Sequence, residues 1–109
     1  MKWEEYNEGI KQFCIYPDAG EVTDLELSYL TLGLASEAGE VAGLMKKELR
    51  DRPEFSRDEW IAELGDVMWY LTRLCHAFGF TLEEVMQYNF DKLNSRMKRN
   101  TIKGHGDER

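Results

Sequence analysis

The sequence of 109 residues lacks any long run of apolar side chains. A membrane-spanning helix needs about 20 predominantly apolar residues, and no stretch of this sequence approaches that length. Residues 1–5 read MKWEE and have none of the apolar character of a secretory signal. We therefore expect a cytoplasmic protein with no membrane partner, and we assign residues 1–109 to a single domain with a polar tail over about residues 99–109.

Cysteine and proline are also scarce. Neither Cys14 nor Cys75 belongs to a CxxC motif, so we expect two buried thiols rather than a disulfide or a zinc site. The two prolines, Pro17 and Pro53, fall between segments of helical periodicity, where they interrupt no helical hydrogen bond. No segment alternates with the period of a β-strand, and no internal repeat is present.

Positive charge is too sparse for a nucleic-acid-binding protein. The formal net charge is -7, whereas general affinity for nucleic acid comes mainly from neutralising phosphates. We therefore expect no nucleic-acid partner. The charge is unevenly spread, because basic residues outnumber acidic ones within residues 91–109. This basic end is either a solvated tail or a site for a phosphate-bearing ligand.

The sequence is rich in helical periodicity. Apolar residues recur at steps of three and four in four segments, which we predict as helices over about residues 2–14, 24–50, 57–78 and 82–98. Three of these segments follow a hydroxyl residue that has glutamate three positions later, the pattern of a capping box. The three pairs are Thr23 with Glu26, Ser56 with Glu59, and Thr81 with Glu84. Short connections between long amphipathic helices predict an all-α fold, a four-helix bundle.

A carboxylate replaces an apolar residue in the middle of the second predicted helix. The apolar positions Leu30 and Leu34 are followed at the next step by Glu37, and the pattern resumes at Val41. Glu40 lies one turn beyond Glu37. A carboxylate on a core-facing stripe is costly unless it is paired or coordinated to a metal. The position of Glu37 therefore indicates a functional site.

The third predicted helix carries a second pair of acids, Glu63 and Asp66. Side chains three residues apart lie on one helix face, about 5–6 Å apart at Cβ, so two such pairs on neighbouring antiparallel helices would bring four carboxylates together. Four oxygen donors favour a hard cation, and we predict Mg²⁺ with Mn²⁺ as a substitute. The absence of a Glu-x-x-His pair argues against a di-iron centre.

The fourth predicted helix offers groups that bind phosphate. Asn89, Lys92 and Arg96 recur at steps of three and four, so an amide and two cations share one face and can bind phosphate oxygens. The alternative is a row of solvated surface side chains. Together with an acidic metal cluster, we prefer the phosphate-binding interpretation.

Two further side chains are candidate substrate contacts. Most aromatic residues at helical spacing belong to the core, but Tyr70 lies one turn beyond Asp66 and carries a hydroxyl. Lys47, in the second turn after Glu40, either reaches a phosphate or remains in water. The glycines and alanines around the first acidic pair indicate either space for a ligand or close helix packing.

Taken in order, these motifs resemble the MazG nucleotide pyrophosphohydrolases. Residues 37–40 (EAGE) and 63–66 (ELGD) resemble the ExxE and ExxD motifs of that family. Residues 89–96 (NFDKLNSR) resemble its N-x-x-K-L-x-x-R segment, and residues 104–109 (GHGDER) resemble the G-x-G-D-x-R ending of its short members. The sequence departs from the usual pattern at Asn100, where many relatives carry glycine, and it has no second domain like that of the longer members.

The resemblance implies an all-α NTP pyrophosphatase that hydrolyses a nucleoside triphosphate to monophosphate and pyrophosphate and cleans the nucleotide pool. It also implies a homodimer or a homotetramer. The implied Mg²⁺ ligands and catalytic residues are Glu37, Glu40, Glu63 and Asp66, and the implied phosphate contacts are Asn89, Lys92 and Arg96. Two alternatives remain open: a metal-dependent phosphohydrolase for an alarmone or another nucleotide diphosphate, and a helical interaction module without catalysis.

Overall fold

The computed structural model describes residues 1–52 and 54–109, and within them the chain is all-helical, without a β-strand. The α-helices are α1 (Trp3–Gly9), α2 (Asp24–Asp51), α3 (Arg57–Phe78) and α4 (Leu82–Lys98), and a 3₁₀ helix over Ile10–Phe13 follows α1. The predicted all-α class is confirmed. None of the helices in this part of the chain is both long enough and apolar enough to cross a membrane.

The chain divides into two compact units, residues 1–79 and residues 80–109, which we describe separately. The first contains α1, α2 and α3, and the second contains α4 and the C-terminal segment. The assignment of residues 1–109 to one domain stays a prediction. Pro53, predicted to lie in a connection, is outside the described residues.

The predicted capping boxes are only partly formed. Ser56 and Glu59 make the complete reciprocal pair at the start of α3. Thr23 and Thr81 each accept from the backbone amide three residues later, but the second half of the box is not formed at either helix. At α2 the reason is visible, because the Glu26 carboxylate bonds instead to groups in the preceding loop. The prediction of three complete boxes was therefore wrong for two of them.

The first predicted helix, over about residues 2–14, is also divided. The α-helix ends at Gly9 and the chain continues as a 3₁₀ helix to Phe13. Glycine is a poor helix former, and the Gln12 side-chain amide donates to the Gly9 carbonyl over 2.9 Å. A tighter turn therefore replaces the last α-helical turn, as is common at helix ends.

Helices α2 and α3 pack against each other in antiparallel orientation. Contacts join Glu26 to Arg73 near one end of the pair and Glu48 to Trp60 near the other. The buried apolar side chains of this unit are Ile10, Leu30, Leu44, Cys75 and Ala77. Both cysteines are free thiols. The prediction that they are buried is confirmed for Cys75, whereas Cys14 is half-buried.

A buried ion pair links α2 and α3. Glu26 has no exposed surface, and Arg73 is 6% exposed. The Glu26 carboxylate accepts from the Tyr16 hydroxyl (2.7 Å) and the backbone amides of Gly20 (2.6 Å) and Val22 (2.9 Å), and from Arg73 Nη2 (3.5 Å). Burial alone would raise the pKa of Glu26, but these bonds together lower it. A buried charge is tolerated here because hydrogen bonds surround it.

The same network extends to α1. The Arg73 guanidinium donates to His76 Nδ1 (2.8 Å), and His76 Nε2 lies 2.6 Å from Asn7 Oδ1. Because Arg73 can only donate, Nδ1 is the accepting nitrogen and Nε2 carries the proton. Burial, followed by the nearby charges of Arg73 and Lys11, lowers the pKa of His76. The imidazole is therefore held in its neutral form.

Candidate functional site

Three acids from α2 and α3 come together in the first unit. Glu37 on α2 and Glu63 and Asp66 on α3 each offer a carboxylate oxygen, and these oxygens lie within 4.8 Å of one another. Glu37 and Glu63 are half-buried, whereas Asp66 is exposed. The spacing of three residues puts the two α3 acids on one face, and the antiparallel pairing brings Glu37 beside them.

The cluster consists of acidic side chains alone. Within residues 1–52 and 54–109, no lysine, arginine or histidine forms an ion pair with Glu37, Glu63 or Asp66. Burial raises the pKa of Glu37, and the charges of Asp66, Glu63 and Glu40 raise it further. The neighbouring carboxylates repel the charge of Glu37 and so disfavour its ionised form. A cation bound between these carboxylates would relieve this repulsion.

The donor set fits a hard divalent cation. Each of the three ligands would supply oxygen, and neither sulfur nor imidazole belongs to the group. Mg²⁺ and Mn²⁺ prefer oxygen donors and keep several waters or substrate oxygens in their coordination sphere. Three carboxylates, one of them exposed, therefore fit a cation that also binds a phosphate ligand.

Glu40, the fourth predicted ligand, lies at the edge of this cluster. Its side chain is exposed, and it is not among the three acids whose oxygens lie within 4.8 Å. Its charge is nevertheless near enough to contribute to the raised pKa of Glu37. Glu40 is available to act on a ligand or water beside the cluster, and its role as a ligand stays a prediction.

Tyr70 lies against the backbone of α2 one turn before Glu37. A methyl group built at Gly33 would lie 2.1 Å from Tyr70 Cε1, far inside contact distance, so only glycine lets the ring approach this closely. The pKa of Tyr70 is raised to about 12 by burial, by a hydrogen bond with Tyr29 and by the charges of Glu37 and Asp66. The predicted substrate contact therefore has its phenol beside the acidic cluster.

Other aromatic rings surround Tyr70. Tyr29 stacks on Tyr16 with ring centroids 4.8 Å apart, and Trp69 meets Tyr70 edge to face at 5.0 Å. Sequence reasoning did not identify Tyr29, because nothing in the periodicity distinguishes it from a core residue. Tyr6 of α1 also lies near the cluster: its pKa is raised by burial and by the charge of Asp66.

The second unit contains the two predicted phosphate-binding cations. Lys92 Nζ donates to Asp107 Oδ1 over 2.7 Å, and Arg96 Nη2 donates to the same oxygen over 3.0 Å. Hydrogen bonds and charge from Lys92 and Arg96 hold the pKa of Asp107 below its usual value. Lys92 and Arg96 thus converge on one anionic oxygen. Sequence reasoning placed Asp107 in a family motif but did not predict this contact.

Asn89 and Lys47 are the two remaining candidates. Asn89 is exposed on α4, and it belongs to the second unit with Lys92 and Arg96. Lys47 is exposed on α2, ten residues after Glu37 and therefore about 15 Å further along the helix axis. The structure does not bring Lys47 to the acidic cluster, and the substrate-binding roles of both residues stay predictions.

Comparison with known proteins identifies the family. The model of the MazG nucleotide pyrophosphohydrolase domain matches residues 26–101. The chain belongs to the MazG family. A curated relative, the Gene 37 protein of Mycobacterium phage L5, is 45% identical to this MazG protein over an alignment 114 positions long, which covers 100% of both chains. No solved structure matches the chain. The acidic cluster and the Lys92–Arg96 pair both lie inside the matched MazG region.

Proposed function

We propose that this MazG protein is a cytoplasmic, Mg²⁺-dependent nucleoside triphosphate pyrophosphohydrolase that cleans the nucleotide pool. It would convert a triphosphate and water into a monophosphate and pyrophosphate. The observation that carries the proposal is the uncompensated group of Glu37, Glu63 and Asp66 in a chain of this family. Three converging carboxylates repel a polyphosphate unless a cation lies between them.

Glu37, Glu63 and Asp66 would hold the metal, with Glu40 as a fourth ligand or as a base. Bound Mg²⁺ would supply positive charge that offsets the charge on the phosphate oxygens. Glu40 is exposed beside the cluster, so its carboxylate can accept a proton from an attacking water molecule. The half-buried Glu37, whose pKa is already raised, is the other carboxylate that can take this proton.

Lys92 and Arg96 would bind phosphate oxygens and stabilise the pyrophosphate that leaves. Their convergence on one carboxylate oxygen of Asp107 supports this role, because an anionic oxygen already sits between them. Asn89 would donate its amide on the same helix, Lys47 would contact an outer phosphate, and the Tyr70 hydroxyl would contact the substrate beside the metal.

We further propose that two or four copies of the chain associate. Large apolar side chains on α2 and α3 remain exposed in the single chain, which is unusual for a monomer when they are numerous. They include Leu25, Leu32 and Leu49 on α2 and Leu64 on α3. A second copy that covers these side chains would remove apolar surface from water and stabilise both chains.

The test is a product assay with purified protein and each common NTP and dNTP, in Mg²⁺ and in EDTA. Monophosphate and pyrophosphate in equal amounts, formed only with metal, are the expected products. Diphosphate and orthophosphate instead would show that another bond is cut. Hydrolysis of an alarmone or a nucleotide diphosphate, without turnover of any triphosphate, would replace the proposed substrate. An absence of all turnover, with no metal binding, would favour an interaction module.

A further inference from the structure

The C-terminal segment places an anion on the two cations of α4. Asp107 Oδ1 accepts from both Lys92 and Arg96, and Arg96 Nη2 also donates to the Asp107 backbone carbonyl. The Asp107 side chain is 75% exposed, whereas that of Arg96 is only 5% exposed. The acid thus lies on the solvent side of cations that are themselves largely covered, the position from which a phosphate would approach.

A closed turn presents Asp107 in this position. The Arg109 guanidinium donates to the carbonyls of Thr101 and Ile102, each over 3.1 Å, and so ties the end of the segment to its beginning. Gly104 and Gly106 have φ values of 131° and 81°, which L-residues with a side chain rarely adopt. The glycines let the chain reverse, and the reversal brings Asp107 back to α4.

Asp107 does not satisfy the cations fully. Arg96 Nε is buried and has no hydrogen-bond partner in the described part of the chain, and an unpaired buried donor is costly. A cavity of about 520 Å³ borders the pair and is lined also by Tyr88, Arg99 and Arg109. Two further cations, Arg99 and Arg109, line this cavity together with the acids Asp91 and Glu108, so an anion larger than a carboxylate can contact additional guanidinium groups here.

We propose that Asp107 is a tethered competitor that occupies the phosphate position of Lys92 and Arg96 and must leave when a polyphosphate binds. This inference rests on the proposed role of Lys92 and Arg96 in phosphate binding. One carboxylate carries a single negative charge, so pyrophosphate displaces it more readily than a singly charged phosphate ester does. Asp107 thereby favours ligands with several charges, and its return to the cations promotes product release.

The competition reduces the apparent affinity for pyrophosphate to its intrinsic value multiplied by the fraction of molecules in which the cations are free. If the turn is closed in about nine molecules of ten, removal of the Asp107 charge tightens pyrophosphate binding about tenfold. Most of the Asp107 side chain faces water, and exposed ion pairs are individually weak. A polyanion can therefore displace Asp107 from Lys92 and Arg96.

The test is calorimetric titration of inorganic pyrophosphate into the full chain at constant ionic strength, for wild type, Asp107→Asn and Glu108→Gln. Glu108 is the matched control, since it borders the same cavity but forms no ion pair with Lys92 or Arg96 in the described residues. We expect Asp107→Asn to bind pyrophosphate about tenfold more tightly and Glu108→Gln to bind like wild type. Equal or weaker binding by Asp107→Asn would overturn the proposal.

A second measurement follows the segment itself. Saturating pyrophosphate is expected to shift the Gly106 and Asp107 amide resonances of the wild-type protein and to increase their fast motion in ¹⁵N relaxation. Unchanged amides, with pyrophosphate bound in a Lys92-dependent manner, would overturn the displacement. If Lys92→Ala leaves pyrophosphate binding intact, both this proposal and the phosphate site are wrong. Tighter pyrophosphate binding by Asp107→Asn would support the competitor role of Asp107 even if the product assay showed no hydrolysis of a nucleotide. A failure of the proposed hydrolase function is therefore distinguishable from a failure of this inference.

Discussion

Helices α2 and α3 hold two groups of charged side chains that differ in whether opposite charges are paired within the group. The Glu26–Arg73 group combines opposite charges, and hydrogen bonds from Tyr16, Gly20 and Val22 surround the carboxylate. The cluster of Glu37, Glu63 and Asp66, about 16 Å further along α2, contains like charges only. The buried Glu26 is therefore paired with a cation, whereas none of the three acids in the cluster is paired with one in the described residues.

The surroundings of Glu26 and Glu37 shift the pKa values of these two side chains in opposite directions. The pKa of Glu26 is lowered despite its burial, whereas the pKa of Glu37 is raised by burial and by neighbouring acids. The first group contains its own cation, whereas the second forms no ion pair within the described residues. We therefore assign the first to stability and the second to cation binding.

The largest expected effect is on turnover. Glu37→Gln or Asp66→Asn removes a proposed metal ligand, and we expect hydrolysis of the preferred triphosphate to fall about 1,000-fold, equal to about 4 kcal/mol in activation free energy. Circular dichroism should show unchanged helicity. Asp58→Asn, an exposed acid in the first turn of the same helix α3, is the control and should retain activity. Near-normal turnover in Glu37→Gln would show that the cluster is not the metal site.

The second-largest effect is on stability and concerns the Glu26–Arg73 group. Arg73→Met leaves the Glu26 carboxylate buried without its cation, and removal of one partner of a buried pair costs about 3 kcal/mol or more. Urea unfolding should therefore show a lower free energy of unfolding. The double variant Glu26→Gln with Arg73→Met should recover part of the loss. A loss below about 1 kcal/mol in Arg73→Met would show that the pair does not stabilise the fold.

A smaller effect tests the contact that aligns the acidic cluster. Gly33→Ala introduces a methyl group where the Tyr70 ring lies, and overpacking of this kind costs about 1–3 kcal/mol. Gly43→Ala on the same helix meets nothing within 4 Å and should stabilise the protein by up to about 1 kcal/mol. Thermal unfolding of the two variants gives the comparison. Equal melting temperatures would mean that Tyr70 does not fix the spacing of α2 and α3.

The smallest effect is a dependence of stability on pH. The folded-state pKa of His76 is lowered by burial, then by Arg73 and Lys11, so the unfolded chain binds the proton more readily. Its contribution is fully present above the unfolded pKa of about 6.5 and is lost as pH falls through the lower folded pKa. Urea unfolding from pH 8 to pH 5 should show this decline in wild type and a shallower decline in His76→Gln. Identical slopes would contradict the assignment.

Helix positions and most of the acidic cluster could be predicted from the sequence, because both follow from local periodicity. The break in the apolar pattern at Glu37 and the three-residue step from Glu63 to Asp66 were enough to place these acids together. Glu40 shows the limit of that argument. A three-residue step places two side chains on one face, but the geometry of the neighbouring helix decides which of them enters the cluster.

Contacts that depend on chain reversals could not be predicted. Glu26 fits a capping box in the sequence, yet its carboxylate bonds to loop amides that only the folded chain brings near. Asp107 is distant from Lys92 along the chain, and their meeting depends on the turn that Gly104 and Gly106 allow. No periodic pattern records either contact.

The most direct test of the central claim is a titration of Mn²⁺ into the full chain without nucleotide, monitored by electron paramagnetic resonance of the free ion. We expect that wild type binds Mn²⁺, that Glu37→Gln and Asp66→Asn bind it far more weakly, and that Asp58→Asn binds it like wild type. Mg²⁺ should compete for the same site. Equal Mn²⁺ binding by wild type and Glu37→Gln, or no binding by either protein, would contradict the claim that this cluster is a cation site.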